Sequence, residues 1–235
     1  MYITQTPIRQ LVAEHPASIA VFERFQIDLC DLGEMSLAAA CAARSLSLEQ
    51  VEEKLAAILP AESGAGDPSS LPLLQLIQRI VRVHHRSVRQ DLPGLLRLAD
   101  RLVVHRDLAP SLRRKIETLH AGLLRHIDAE EQSLFPVIAR LGEADAEPFA
   151  TTTPLKRNML QMHQDHDSAV DTMDELRAET KGFTPPPTAC ATHRALLSGL
   201  DAFDRDLRSH LQLEDNILFP RALALQASLP ERSEA

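Results

Sequence analysis

The sequence has no tryptophan, one tyrosine, eight glycines and three cysteines in 235 residues. Cys30, Cys41 and Cys190 are odd in number, widely spaced and in no C-x-x-C pair. That excludes a disulfide framework and fits a reducing compartment. No uncharged apolar run reaches 18 residues, so no membrane span is expected. The opening MYITQTPIRQ has no apolar signal-like stretch; together these absences predict a cytoplasmic protein. Positive charge is scarce too: 25 Lys and Arg stand against 33 Asp and Glu, a net charge of −8. No basic stripe lies along any stretch, so nucleic acid is not an expected partner. What the chain does have is Ala, Leu, Arg and Glu, which favour helix, and 44% apolar residues, enough for a folded core. It also has 10 histidines against the single tyrosine, and histidine near neutral pH is chiefly a residue of acid–base chemistry and metal ligation.

The clearest break is the Pro-, Gly- and Ser-rich stretch from Pro60 to Pro72, which reads as a tether. It separates a small helical N-terminal domain, residues 1–59, from a body at 73–228. In the leading segment Ile8, Leu11 and Val12 share a helical face, followed by Ile19, Val21, Phe22 and Phe25. Ser36 can cap a helix running to Ala43, and Ser47 with Gln50 makes a capping box before Val51, Leu55 and Ile58. So small a unit has a thin core, and a homodimer contact through it is one way to cover that core.

The body reads as four long helices joined by short connections, an up-down bundle in an all-α protein. The first spans Leu74 to about Val104, with Leu74, Ile77, Ile80 and Val81 at helical spacing and a kink or restart at Leu92-Pro93. Ser111 to Leu141 forms the second, followed by a polar loop over Gly142–Thr153. Pro154 opens the third, which runs to Glu179, and Lys181 to Pro187 is a stop and connector. The fourth runs from about Thr188 to Ala227 with a bend near Pro220.

Two stretches of the body match. His126 to Pro136 and His210 to Pro220, 84 residues apart, both read H-x-x-x-E-x-x-x-x-F-P. The preceding helix of each half carries a histidine, His85 and His166. The body is thus a duplicated helix pair. Residues four apart stack on one helical face, one turn from each other, so an imidazole and a carboxylate at that spacing can serve one centre. The set His85, His126, Glu130, His166, His210 and Glu214 offers four nitrogens and two carboxylates, with no thiolate. It suits iron better than calcium or magnesium, which take oxygen ligands, or structural zinc, which takes four ligands and commonly thiolates. Six ligands shared by two metals leave room for bridging carboxylates, an oxo or hydroxo bridge and an exogenous molecule. Phe135 and Phe219 are expected in the core. His84 points about 100° from His85, His120 is off the face of His126, and His15 and His193 read as surface. His163, three before His166, can support the site from outside, and His105 can reach the bundle end.

On these residues the chain resembles the repair of iron centres family, di-iron proteins that repair iron–sulfur clusters. Val83-His84-His85, His126-x-x-x-Glu130, His166-Asp167, Thr184-Pro-Pro-Pro and His210-x-x-x-Glu214-x-Asn-x-Leu-Phe-Pro-Arg221-Ala222 resemble that family's hemerythrin-like domain. The resemblance implies the same six ligands, with Glu130 and Glu214 as bridging carboxylates, around two non-haem iron ions. Phe25 to Cys30 resembles the family's small N-terminal domain, but the family's cysteine pair is Cys30-Asp31 here and its glycine pair is Leu32-Gly33. An acid the family often has four residues before the second-helix histidine is Gly122 here; Asp165 retains the one before His166. The resemblance implies iron delivery to damaged iron–sulfur proteins under nitrosative or oxidative stress. Alternatives in the same frame are binding, scavenging or sensing of nitric oxide or dioxygen, and reduction of nitric oxide at the two irons.

Overall fold

The computed structural model describes residues 3–58, 67–105, 108–142 and 155–228. The side chain of Cys30 lies outside the described residues, as do tether residues 60–66, Pro154 and all but the first residue of the Gly142–Thr153 loop. The N-terminal part consists of short helices: α1 (Ile8–Glu14), α2 (Ser18–Arg24), α3 (Leu29–Leu32), α4 (Leu37–Ala43) and α5 (Leu48–Ala56). The expected caps are in place. Ser36 Oγ accepts the Ala39 N–H at 3.3 Å and Ser47 Oγ accepts the Gln50 N–H at 3.4 Å, each satisfying a donor that a helix start leaves open.

Four long columns follow. The first is α6 (Leu73–Ile80), a π-helical turn over Val81–His85, and α7 (Arg86–Val104). The second is α8 (Pro110–Ala129), a π turn over Glu130–Leu134, and α9 (Phe135–Leu141). The third, α10 (Leu155–Glu179), is unbroken. The fourth is α11 (Ala191–Leu213), a π turn over Glu214–Leu218, and α12 (Phe219–Ser228). α7 and α10 each pack on both α8 and α11, closing a four-sided bundle.

Two expectations about the first bundle helix need correction. Pro93 lies inside α7, which passes through without a restart. Its apolar face, Val88, Leu92, Leu95, Leu98, Ala99 and Leu102, is buried on both sides of the proline, and that packing outweighs the cost of about 3 kcal/mol for an interior proline. Leu74 is half exposed, whereas Leu73 and Leu76 are buried, so the face of α6 is rotated from the predicted one. The stop after α10 is as expected. Lys181, Gly182 and Phe183 all have left-handed backbones, with Gly182 at φ +74°, and the Gly182 N–H bonds the Arg177 carbonyl at 2.7 Å. Phe183 is held in place by burial and by the Arg177 guanidinium, 4.7 Å above its ring.

The core has two parts. One joins the leading helices to the bundle, with Ile8, Leu11, Val12 and Phe22 in a cluster with Val88, Leu92, Leu95 and Leu200. The bundle thereby covers the thin core of the leading segment. The Ala17 N–H also bonds Asp91 Oδ1 at 3.2 Å, and Arg101 pairs with Glu23 at 3.1 Å across the same seam. His15 is half-buried in this seam rather than on the surface, and burial lowers its pKa. The other cluster, with Leu76, Ile80, Leu134, Phe135, Ile138, Met159, Leu218 and Phe219, fills the opposite end. Between the two apolar clusters lies a polar layer.

Candidate metal centre

All six residues singled out by the repeat meet in that layer. His85, His126, Glu130, His166, His210 and Glu214 are each at most 3% exposed. Their donor atoms fall into two groups: His85, Glu130, His210 and Glu214 in one, His126, Glu130, His166 and Glu214 in the other. Within each group the atoms lie within 4.8 Å of one another, and both glutamates belong to both groups. The arrangement follows from the sequence. The first and third columns each bring one histidine, and the second and fourth each bring a histidine and a glutamate one turn apart.

The backbone adjusts at this level. Arg86, Phe135 and Phe219 donate their N–H groups five residues back, to the carbonyls of Val81, Glu130 and Glu214. Each π turn therefore begins or ends on a candidate ligand, and such turns gather at functional sites. Pro136 and Pro220 stand just beyond two of them and have no N–H to continue an ordinary ladder.

The interior contacts are short. His126 Nε2 lies 3.1 Å from His166 Nε2 and 3.5 Å from Glu130 Oε2. His85 Nε2 lies 3.3 Å from Glu130 Oε2, and His210 Nε2 lies 2.9 Å from Glu214 Oε1. His85 Nε2, both oxygens of Glu130 and Glu214 Oε2 are buried with no hydrogen-bond partner. Leaving buried carboxylates unpartnered is expensive, and bound cations would satisfy all of these atoms at once. Four imidazoles and two carboxylates without a thiolate match intermediate metals of the iron type. The residues fit a metal pair.

Without metal the same atoms must manage with protons. Burial and the neighbouring Glu214 push the Glu130 carboxyl well above the usual carboxylate range. Burial would raise Glu214 as well, but the imidazoles packed against it, His210 first and then His166 and His85, hold it well below that range. Burial and the adjacent His166 lower His126 to about 4. Burial alone would lower His166 too, yet its hydrogen bond to Asp215 and the Glu214 carboxylate beside it push it up to about 9. One carboxylate and one imidazole thus carry charge while their partners stay neutral.

An outer ring fixes the imidazoles. His85 Nδ1 donates to Glu131 Oε1 at 2.7 Å, and His166 Nδ1 donates to Asp215 Oδ1 at 3.0 Å. Each acid directly follows a candidate glutamate ligand. Neither acid is among the residues that the repeat singles out, although it sets Glu130-Glu131 against Glu214-Asp215. His163 supports the site as expected, reaching Asp215 Oδ1 at 2.9 Å. His84 is not in either group; it stacks on His210 and bonds Asp206 at 2.7 Å. Phe135 and Phe219 do more than fill the core, since they stack on His85 and His166. His105 lines a separate cavity with Cys190, and His120 is half-buried away from the centre.

Comparison with known proteins agrees with this geometry. Residues 76–222 match the Hemerythrin HHE cation binding domain, and residues 4–59 match a Domain of Unknown function (DUF542). The chain is 33% identical over 225 residues to the iron–sulfur cluster repair protein YtfE of Escherichia coli O157:H7, covering 93% of this chain and 96% of the relative. It is 33% identical over 231 residues to the protein of the same name from Cronobacter sakazakii, covering 95% and 99%. A metal-binding layer of histidine and glutamate, the hemerythrin match and these near full-length relatives together show that the chain belongs to the hemerythrin-type family of iron–sulfur cluster repair proteins.

Proposed function

We propose that this protein repairs iron–sulfur clusters damaged by nitrosative or oxidative stress, holding two iron ions and supplying iron to the damaged protein. The observation that carries the reading is the pair of donor groups sharing Glu130 and Glu214. The relatives named as iron–sulfur cluster repair proteins support the repair role. His85 and His210 would hold one iron and His126 and His166 the other, with Glu130 and Glu214 shared between the two groups. Iron held there would supply ferrous or ferric ions to the damaged protein.

The chain's own residues do the rest. Glu131 and Asp215 keep the Nδ1 protons of His85 and His166, so that the Nε2 lone pairs face inward. Loading displaces protons, because Glu130 and His166 must give theirs up before they ligate. The two apolar clusters above and below the layer limit the access of water. No helix among the described residues is long and apolar enough to cross a membrane.

Metal analysis with Mössbauer spectroscopy on the purified chain, followed by cluster restoration in a damaged iron–sulfur protein, tests the reading. Two irons per chain and restored client activity are expected. His126→Leu and Glu130→Leu should lose most of the iron and the repair. Full iron content in both variants would remove the site, and a loaded protein that restores no cluster would remove the repair role.

A further inference from the structure

The first column needs no π turn merely to deliver one histidine, since α10 delivers His166 from an unbroken helix. Its π turn covers Val81–His85 and ends on two histidines. With bonds from residue i to i+5, a π turn holds more residues per turn, so neighbouring side chains diverge less around the axis than in an α-helix. His84 and His85 are accordingly both buried, and both meet His210. His85 meets the His210 ring edge-on, with centroids 5.0 Å apart and planes at 63°. His84 lies flat against it, with centroids 5.3 Å apart and planes within 2°.

Only His85 of this pair belongs to a donor group. His84 Nδ1 instead donates to Asp206 Oδ1 at 2.7 Å. Asp206 stands one turn before His210 on α11 and lines a cavity of about 170 Å³ at the junction of α1 and α2, together with His15, Pro16, Arg86 and Asp91. A ring tied by a hydrogen bond and pressed face to face on a second ring cannot rotate without parting from one of its two partners, so the plane of the second ring is fixed as well. Two further candidate ligands rest on flat rings in the same way: His85 on Phe135 and His166 on Phe219, at 16° and 9° between planes. In the second half of the repeat the residue before the histidine is Asp165 rather than a ring. Asp165 Oδ2 lies 3.5 Å from His126 Nδ1, which has no hydrogen-bond partner. The backing that His84 gives to His210 is thus particular to the first half.

We propose that His84 is a positioning residue of the metal centre: tied to Asp206, its ring fixes the plane of His210 and so aims His210 Nε2 at the metal position that His210 shares with His85. This rests on the di-iron reading above and gives a role to a buried histidine that lies outside both donor groups. Groups that orient a ligating histidine from outside typically change metal affinity by about 10- to 100-fold. Loss of His84 should therefore weaken ferrous binding at the position of His85 and His210 by about that factor, and leave the position of His126 and His166 as it is.

The test is anaerobic titration of the full-length protein with ferrous iron against a competing chelator, joined to Mössbauer spectra of the protein loaded with iron-57. His84→Leu, which fills much of the space but offers no flat face, should lower the affinity of one position by about 10- to 100-fold and alter the spectrum over half its area. His84→Phe, which restores a flat face against His210, should recover most of that loss. Asp206→Leu, which changes nothing in the donor groups themselves, should weaken the same position, whereas Asp206→Asn, whose amide oxygen still accepts from His84, should bind as the parent does. Parent affinity in His84→Leu would overturn the proposal. So would a His84→Phe protein no better than His84→Leu, since a plain packing role explains that result. Should the His84 variants not fold, the Asp206 pair decides, and equal affinity in Asp206→Leu and Asp206→Asn would overturn it. A parent chain that holds fewer than two irons would instead count against the di-iron reading itself.

Discussion

His166 shows what a single side chain can report. In the metal-free protein it keeps its proton to about pH 9, because it donates to Asp215 and lies 3.2 Å from the Glu214 carboxylate, against the cost of burial. A histidine whose folded pKa is raised stabilises the fold fully below its ordinary value of 6.5 and loses that contribution as pH climbs towards the folded one. Glu130 acts in the same sense, since a buried carboxyl with a raised pKa resists giving up its proton as pH climbs. His126, lowered to about 4, acts in the opposite sense, but its effect is confined to pH below 6.5. The melting temperature of metal-free protein should therefore fall between pH 6.5 and about 9. Protein loaded with metal, in which the cations replace those protons, should show much less of that fall. Calorimetry on both forms across the interval checks this, and a metal-free melting point that rises with pH would contradict it. The six candidate ligands were legible in the sequence because an i, i+4 pair repeated at the half-bundle interval has a geometric meaning. Glu131 and Asp215 were equally visible, but a charged residue beside a ligand reads as solvated surface until the opposing histidine is placed.

At the level of elements, the four helices and their polar connectors could be read from periodicity and caps, but their π turns could not. A π turn adds one residue to a helix without changing the kinds of residue on its faces, so the apolar pattern merely slips phase. That slip explains why Leu74 is on the wrong side of the predicted face, and why the sequence suggests a bend near Pro220. The proline signal exists only for two of the three turns; Val81–His85 has no proline behind it. The added residue matters because each helix turns about 100° per residue. With it, His126 and Glu130 face the centre while Phe135, Ile138 and Leu141 still face the second core cluster. Deletion of the exposed Ser133 would allow an unbroken α-helix but turn one of those sets away from its partners. The deletion variant should retain helical circular dichroism, melt lower and bind little metal in a titration. Metal binding equal to that of the parent would show that the turn does not set the site.

For the whole molecule, the least legible feature is the attachment of the N-terminal helices to the bundle. A Pro-, Gly- and Ser-rich tether reads as separation, and face patterns reveal that a surface is apolar without revealing what covers it. Gly94 is the clearest case. Within a long helix a glycine is a weak point, and replacement by alanine ordinarily gains about 1 kcal/mol. Here a Cβ at position 94 would lie 2.2 Å from the Pro16 carbonyl oxygen and 2.5 Å from its carbon. Those are backbone atoms of the junction between α1 and α2, so the strain cannot be relieved by a side-chain rotation. Overpacking of this kind costs about 1–3 kcal/mol, enough to cancel the propensity gain and reverse its sign. Gly199 faces the same seam, but its nearest obstacle is Leu95 Cδ2 at 2.6 Å, the end of a flexible side chain. Gly94→Ala should therefore lower the melting temperature, with a shift of about 2–4 °C for each kcal/mol lost in a chain of this size, and Gly199→Ala should lower it less. Thermal unfolding of the two variants beside the parent decides it: a Gly94→Ala protein as stable as the parent, or more so, would mean that the leading helices do not sit against α7 as described.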